Sequence, residues 1–303
     1  MTKSPLEFKK ITHKDMDIIW PFLQKENGRT TDFSYAGLFM WVDFFKYEYA
    51  VYENTLFVKG VVENDRSIPA FSLPIGDLPL SECIRLIKDY CRQHSVMPVL
   101  SAVPEYAMKE LRDLNPIGEE LLEHWSDYLY DASMLASLAG KKMNKKRNHV
   151  NHFCNLFPDW SFQKLSSCNA AAALDFMDLY ESGVEETIMA REESRLCRQM
   201  INMITEGDNV MKGGLLYSDP DNICALTIGD IKGDTLFVHI EKALRSVPGS
   251  YEMINHAFAS HILEQFPEIK FINREDDAGE EGLKKAKESY HPVDLLKKFN
   301  VIF

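Results

Sequence analysis

An α+β fold of two halves, each a mixed sheet flanked by helices, is what this sequence predicts, and three observations predict it. Along the whole chain, apolar residues alternate between the two-residue period of strands and the 3.6-residue period of helices. A run of strands beside helices occurs in the first half, and the same order of elements returns in the second without any repeat of the sequence itself. With 303 residues and 45% apolar content there is material for two cores.

In the first half YEYAVYENTLFVKGVV reads as a hairpin turning at Glu53-Asn54, and IPAFSLPIGD adds a third extended segment. LSECIRLIKDYCRQH is amphipathic and helical, VMPVLSAVP is a strand, PEYAMKELRDL is helical, and WSDYLYDAS alternates as an extended segment. The break between domains is expected at residues 138/139, giving an N-terminal domain of 1–138 and a C-terminal domain of 139–303 that opens with a basic helix.

That basic stretch, GKKMNKKRNHVNHF, holds Lys141, Lys142, Lys145, Lys146 and Arg147 with no acid. Met143, Val150, Phe153, Cys154 and Phe157 recur at heptad-like spacing, so the plainer reading is a helix with one buried side and the bases in water. SSCNAAAALDFMDLYE follows Ser and Asn capping candidates, and a longer helix is expected from about Glu185 to Ile204. GGLLYSD, NICALTIGDIKG and TLFVHIEKA read as three strands joined by Asp-Pro-Asp-Asn and Lys-Gly-Asp turns. The helix YEMINHAFASHILEQF then leads to the strand KFINRE and a final helix.

The net charge of −12 opposes general attraction to phosphate backbones. Six cysteines are scattered without a C-x-x-C pair, so no zinc site or disulfide framework is indicated and no metal is expected. No apolar run approaches the ~20 residues of a membrane span, and MTKSPLEFKK lacks a signal-peptide core. A cytoplasmic protein without a membrane span is the expectation.

Ile272 to Pro292 is the most informative stretch, because it passes from strand to helix across Asn273, Arg274, Glu275, Asp276 and Asp277. Capping by Asp276 or Asp277 accounts for the acids of the following helix, but not for Asn273-Arg274-Glu275 at the end of an apolar strand. In TLFVHIEKA strict alternation places His239 and Glu241 on one side, and Asn273 and Glu275 likewise share a side of their strand. The four are therefore expected to line one cavity, on neighbouring strands joined by a helical crossover. A lone strand histidine also reads as an ordinary core residue. After Pro248-Gly249 the helix start at Ser250 offers free backbone N–H groups to an anion.

VHIEKA, P-G-S-Y-x-x-I-N, F-I-N-R-E-D-D-x-G-x-x-G-L and K-x-S-Y-x-P, with WSDYLYD and G-K-K-x-x-K-K-R-N-H-x-N-x-F before them, resemble a bacterial family of uncharacterised proteins. That family is related to the C-terminal domain of phosphatidylglycerol lysyltransferases. The resemblance implies two tandem GNAT-like acyltransferase domains, an arrangement shared with the FemXAB aminoacyl transferases that use aminoacyl-tRNA. It also implies a donor site at the turn Val247 to Tyr251. This turn departs from the acetyl-CoA pattern R-x-x-G-x-G/A, because Gly249 follows Arg245 by four positions and Ser250 comes next.

The implied activity is transfer of an acyl or aminoacyl group, from acyl-CoA or aminoacyl-tRNA, to an amine of a small molecule or peptide. On this reading Glu241 is the base with His239 as substitute, and Tyr290 is the acid. Gly249, Ser250 and Lys287 hold the donor, while Asn273, Arg274, Glu275 and Asp276 bind the substrate, the first three orienting the acceptor or the donor carbonyl. Lys141, Lys145, Lys146 and Arg147 are the candidate tRNA contacts. The alternative, favoured by the imperfect donor turn, is a non-catalytic module that binds a ligand in a degenerate cleft.

Overall fold

A computed structural model describes residues 4–62, 64–183 and 187–303. The expected start of the long helix at Glu185, and the first three residues of the opening segment, lie outside the described residues. The strands are β1 (Lys9–Lys10), β2 (Glu48–Tyr52), β3 (Thr55–Val61), β4 (Pro69–Phe71), β5 (Ile75–Gly76), β6 (Val99–Pro104), β7 (Gly118–Leu121) and β8 (Asp127–Asp131), then β9 (Ser161–Lys164), β10 (Met211–Asp219), β11 (Asn222–Lys232), β12 (Thr235–Ala243), β13 (Phe271–Asn273), β14 (Asp294–Leu296) and β15 (Lys298–Ile302). They form two mixed sheets, each flanked by helices.

The first sheet has the order β1-β2-β3-β4-β6-β15-β7, with β5 on β3. Its β4–β6 pair is parallel and its other pairs are antiparallel. The hairpin turns where expected: Tyr52 faces Thr55, and Glu53 and Asn54 take φ of 44° and 52°. Two successive left-handed residues match the twist of the strands they join. Helix Leu80–His94 buries Cys83, Ile84, Ile87, Tyr90 and Cys91 against Phe57, Phe71, Leu100 and Val103. These residues recur at three- and four-residue spacing, which is why the segment is helical with one dry face.

The chain divides into two compact units, the first taking residues up to Tyr128, then Glu275–Lys284 and Leu295–Phe303. The second takes Leu129–Arg274 and Lys285–Asp294. The sequence alone suggests a single break after residue 138; instead the last strand inserts between β6 and β7, burying Val301 and Phe303 in the first core. The extended WSDYLYDAS segment also ends early, because Asp131 Oδ1 accepts from the Met134 N–H at 2.8 Å and starts a helix at Ala132.

The second sheet has the order β14-β8-β13-β12-β11-β10-β9. Within it β12 and β13 run parallel, and helix Ser250–Gln265 makes the crossover between them. The expected neighbours are therefore neighbours.

Candidate functional site

The direction of each site side chain follows from one irregularity in β12. Thr227 faces Glu241 and Ile228 faces Ile240, but Gly229 then faces Val238, so β12 carries one residue more than β11 at His239. This is a β-bulge, and it resets the alternation. Paired residues point to the same side of a sheet, so Glu241 shares its side with Val238 and Leu236, while His239 shares its side with Phe237. Because Leu236 pairs with Ile272 and Phe237 with Asn273, Asn273 falls on the histidine side. Arg274, one residue on, falls on the glutamate side, as does Tyr130, which pairs with Ile272.

The cavity expected from His239, Glu241, Asn273 and Glu275 together is therefore not formed. Unbroken alternation through His239 was the premise, and the bulge removes it. Glu275 moreover leaves the strand with φ of 58° and belongs to the first unit, where Thr31 Oγ1 donates to its Oε1 at 3.4 Å.

On the glutamate side a charged cluster assembles within the second unit. Arg274 Nη2 donates to Glu241 Oε1 at 2.8 Å, and Asn255 Nδ2 donates to Oε2 at 3.3 Å. Both carboxylate oxygens are thus engaged. The guanidinium stands 4.8 Å from the ring centre of Tyr290 and 5.8 Å from that of Tyr130. Burial is the largest single influence and lowers the Arg274 pKa, but Glu241, Tyr130 and Tyr290 together outweigh it and hold the group above its ordinary value. Arg274 Nη1 and Asn255 Oδ1 are buried and take no hydrogen bond among the described residues.

Tyr290 is only 4% exposed, and burial raises its phenol pKa strongly, so the hydroxyl keeps its proton. That hydroxyl bonds to no described residue, yet it is not among the side-chain atoms sealed inside the protein. Lys146 Nζ stands 4.0 Å from the same ring centre and 3.4 Å from Glu252 Oε1. The Lys146 pKa is lowered, first by burial and further by Arg274, with Glu252 acting in the opposite sense.

On the opposite side His239 Nε2 meets Asp230 Oδ2 at 2.8 Å, and neither side chain is exposed. This pair lies across the bulge. It gives His239 the buried, partnered setting of a core histidine.

The donor-turn residues are tightly packed. Gly249 takes φ of +81°, and a Cβ there would meet the His149 carbonyl oxygen at 2.9 Å. Ser250 is buried and its hydroxyl donates to the Leu244 carbonyl at 3.1 Å. Lys287, expected at a donor phosphate, is buried and donates through Nζ to the Arg274 carbonyl at 2.6 Å. It thereby anchors the backbone that carries Arg274, as does Tyr130, whose hydroxyl donates to the Lys287 carbonyl at 2.8 Å. Asp276 accepts from the Ala278 N–H at 2.9 Å, and Asp277 from the Gly279 N–H at 2.9 Å and the Tyr128 hydroxyl at 2.6 Å. Both acids shape the turn before helix Glu281–Glu288.

Of the basic residues, Lys141, Lys142 and Lys145 are exposed. Arg147 donates to the carbonyls of Leu138 and Gly140, tying down the end of the preceding helix. Lys146 is turned inward. Sequence reasoning missed Asn255 and Glu252 as site residues and misplaced Lys146, although the signal was present: Met143, Lys146, Val150 and Phe153 form one stripe at helical spacing, and all four are buried.

Comparison with known proteins adds the context. Residues 25–302 match the family described as phosphatidylglycerol lysyltransferase, C-terminal. A conserved protein of unknown function from Bacteroides thetaiotaomicron VPI-5482 is similar at 30% identity and a TM-score of 0.88, covering 98% of this chain and 99% of that one. L-PGS from Bacillus licheniformis is similar in fold, with a TM-score of 0.64 at 13% identity over 94% of this chain and 91% of that one. FemX shares the fold at a TM-score of 0.60 and 9% identity, with 98% of each chain covered. An uncharacterized protein of Mycoplasmoides gallisepticum is 24% identical over 185 residues, a match spanning 60% of this chain and 58% of that protein. Among the described residues no helix is long and apolar enough to cross a membrane.

Proposed function

The chain belongs to the phosphatidylglycerol lysyltransferase C-terminal family, and from that membership and the cluster around Arg274 we propose that it is a transferase that moves an acyl or aminoacyl group onto an amine of a small molecule or peptide. The observation that carries this reading is the Tyr290 hydroxyl: protonated, mounted on a buried ring beside Arg274, and without a hydrogen-bond partner among the described residues. In such a transfer the amine nitrogen bonds to the donor carbonyl carbon, and the bond from that carbon to the donor oxygen or sulfur breaks. The leaving atom needs a proton, and Tyr290 supplies it. Arg274 places positive charge beside the reacting carbonyl, where negative charge develops on oxygen. Glu241, with both oxygens engaged, serves this site by holding Arg274.

The donor is acyl-CoA or aminoacyl-tRNA. The exposed Lys141, Lys142 and Lys145 favour tRNA, while the net charge of −12 opposes it. Phosphate contacts would make affinity fall steeply with salt. The test is a thermal-stability screen of acyl-CoA species and charged tRNAs followed by a transfer assay with amine acceptors. A ligand bound only by the folded state at a hundred times its Kd adds ~2.7 kcal/mol of stability. Stabilisation followed by amide product supports the proposal, and a full screen without product counts against it.

A second reading is a ligand-binding module without turnover. The filled donor turn favours it, since Gly249 abuts the His149 carbonyl and the Ser250 hydroxyl is already bonded. Stabilisation by a donor without product would select this alternative.

A further inference from the structure

A transfer to an amine needs a group that takes up the amine's proton, and the carboxylate expected to do so is occupied. Glu241 accepts from Arg274 and from Asn255, so both of its oxygens already hold a donor. The other titratable side chains of the cluster are Tyr130, whose hydroxyl is engaged with the Lys287 carbonyl, and Tyr290, Lys146 and Glu252. Tyr290 is protonated and cannot accept.

Lys146 differs from the other bases of its helix. Lys141, Lys142 and Lys145 are exposed, whereas Lys146 is 9% exposed and lies on the buried stripe with Met143, Val150 and Phe153. A phosphate-contacting lysine keeps its ammonium in water; this one ends over the ring of Tyr290. Nor is it locked in a tight ion pair. Its one hydrogen bond among the described residues, to Glu252 Oε1, is 3.4 Å long, against ~2.8 Å for a strong ammonium–carboxylate contact.

We infer that Lys146 is the group that takes the proton from the attacking amine. The inference rests on the transferase reading. The groups facing its Nζ act in known senses: Arg274, after β13, repels a second cation; Glu252, on helix Ser250–Gln265, attracts one; Lys145, on its own helix, repels weakly; and Tyr290, after helix Glu281–Glu288, presents its ring face. Burial, the largest effect, acts with Arg274 and Lys145 toward the neutral amine, the form that accepts a proton, while Glu252 and the ring face of Tyr290 favour the ammonium; on balance the Lys146 pKa is lowered. The reaction then balances. The acceptor nitrogen bonds to the donor carbonyl carbon and loses a proton to Lys146, while the donor's C–O or C–S bond breaks and its leaving atom takes the Tyr290 proton. The Lys146 ammonium afterwards returns a proton to Tyr290 through solvent, so both groups regain their starting state.

Two measurements test this, and their failures are distinct. In protein labelled with 13Cε-lysine, the Lys146 resonance, assigned by its loss in Lys146→Arg, is expected to titrate at lower pH than those of Lys141 and Lys145. Glu252→Gln is expected to move it lower still. Titration of Lys146 together with the exposed lysines overturns the inference whatever the activity. In the transfer assay, Lys146→Arg and Lys146→Met are expected to lose about a hundredfold to ten-thousandfold in rate while keeping the thermal shift produced by the donor. The loss should shrink as pH rises and the acceptor amine deprotonates unaided. Full rate in Lys146→Arg overturns the inference while leaving the transferase reading intact; absence of turnover in the unmodified protein overturns the transferase reading, and the titration still reports on Lys146.

Discussion

Replacing Glu241 by Gln removes one charge from the Arg274 pair and leaves the shape. The two groups meet at 2.8 Å with 13% of each side chain exposed. Two unit charges ~4 Å apart attract by ~4 kcal/mol at an effective dielectric of ~20. Removing one partner of a buried pair costs ~3–5 kcal/mol, because the other charge stays buried without compensation. Glutamine keeps a neutral hydrogen bond to Arg274 worth ~1 kcal/mol. Its NH2 would face the Asn255 NH2, but the buried Asn255 Oδ1 has no hydrogen-bond partner among the described residues, so a flip of the Asn255 amide restores that contact. The expected destabilisation is ~2–4 kcal/mol, or roughly 5–12 °C in Tm for a domain of this size. The assay is urea and thermal unfolding of Glu241→Gln, Arg274→Met and the double variant. The double variant should be more stable than the sum of the single losses implies, by ~2–3 kcal/mol. A loss below ~0.5 kcal/mol in Glu241→Gln, or additivity within ~0.5 kcal/mol, would refute the reasoning.

Lys298, 1% exposed, stands 2.8 Å from Asp32 and 2.9 Å from Asp127, so Lys298→Met leaves two buried carboxylates together and should cost ~3–5 kcal/mol in urea unfolding; a loss under ~1 kcal/mol would show that the cluster does not depend on the lysine. Gly249→Ala meets both a left-handed backbone and the His149 carbonyl, and a melting curve should show a loss of ~1–3 kcal/mol; unchanged melting would contradict it. His256 has its pKa lowered by burial, so the folded state resists a proton that the unfolded chain accepts. Its stabilising contribution is therefore present above the unfolded value of ~6.5 and declines as pH falls from there toward the lower folded value. His256→Gln should flatten that slope in stability against pH, and an unchanged slope would remove His256 from the acid response.

The local grammar was legible. The left-handed pair Glu53-Asn54, the parallel neighbours β12 and β13, and the capping residues Ser166 and Asn169 all lie where short-range patterns place them. Long-range pairing was not, since nothing in KFNVI says that it inserts between two strands formed nearly two hundred residues earlier. At the site, Arg274 and Glu241 were recognisable as charges at the ends of apolar strands and Tyr290 only through the resemblance of K-x-S-Y-x-P, and the structure brings these three together. The sides of the sheet were not recognisable, because TLFVHIEKA alternates without interruption and the bulge appears only when β12 is paired with β11. Lys146 was hidden for another reason. Its place on the apolar stripe was readable, but the ring of Tyr290 that it rests on comes from far along the chain, and no local pattern announces that contact.

The most direct test of the site is the transfer rate of Tyr290→Phe beside the unmodified protein, with the donor found by the stability screen. The change removes only a hydroxyl that bonds to no described residue, so the fold and the thermal shift by donor should be unaffected. The account predicts amide product from the unmodified protein and a rate lower by about two to four powers of ten in the variant, the usual contribution of a positioned proton donor. Equal rates in the two proteins would contradict it.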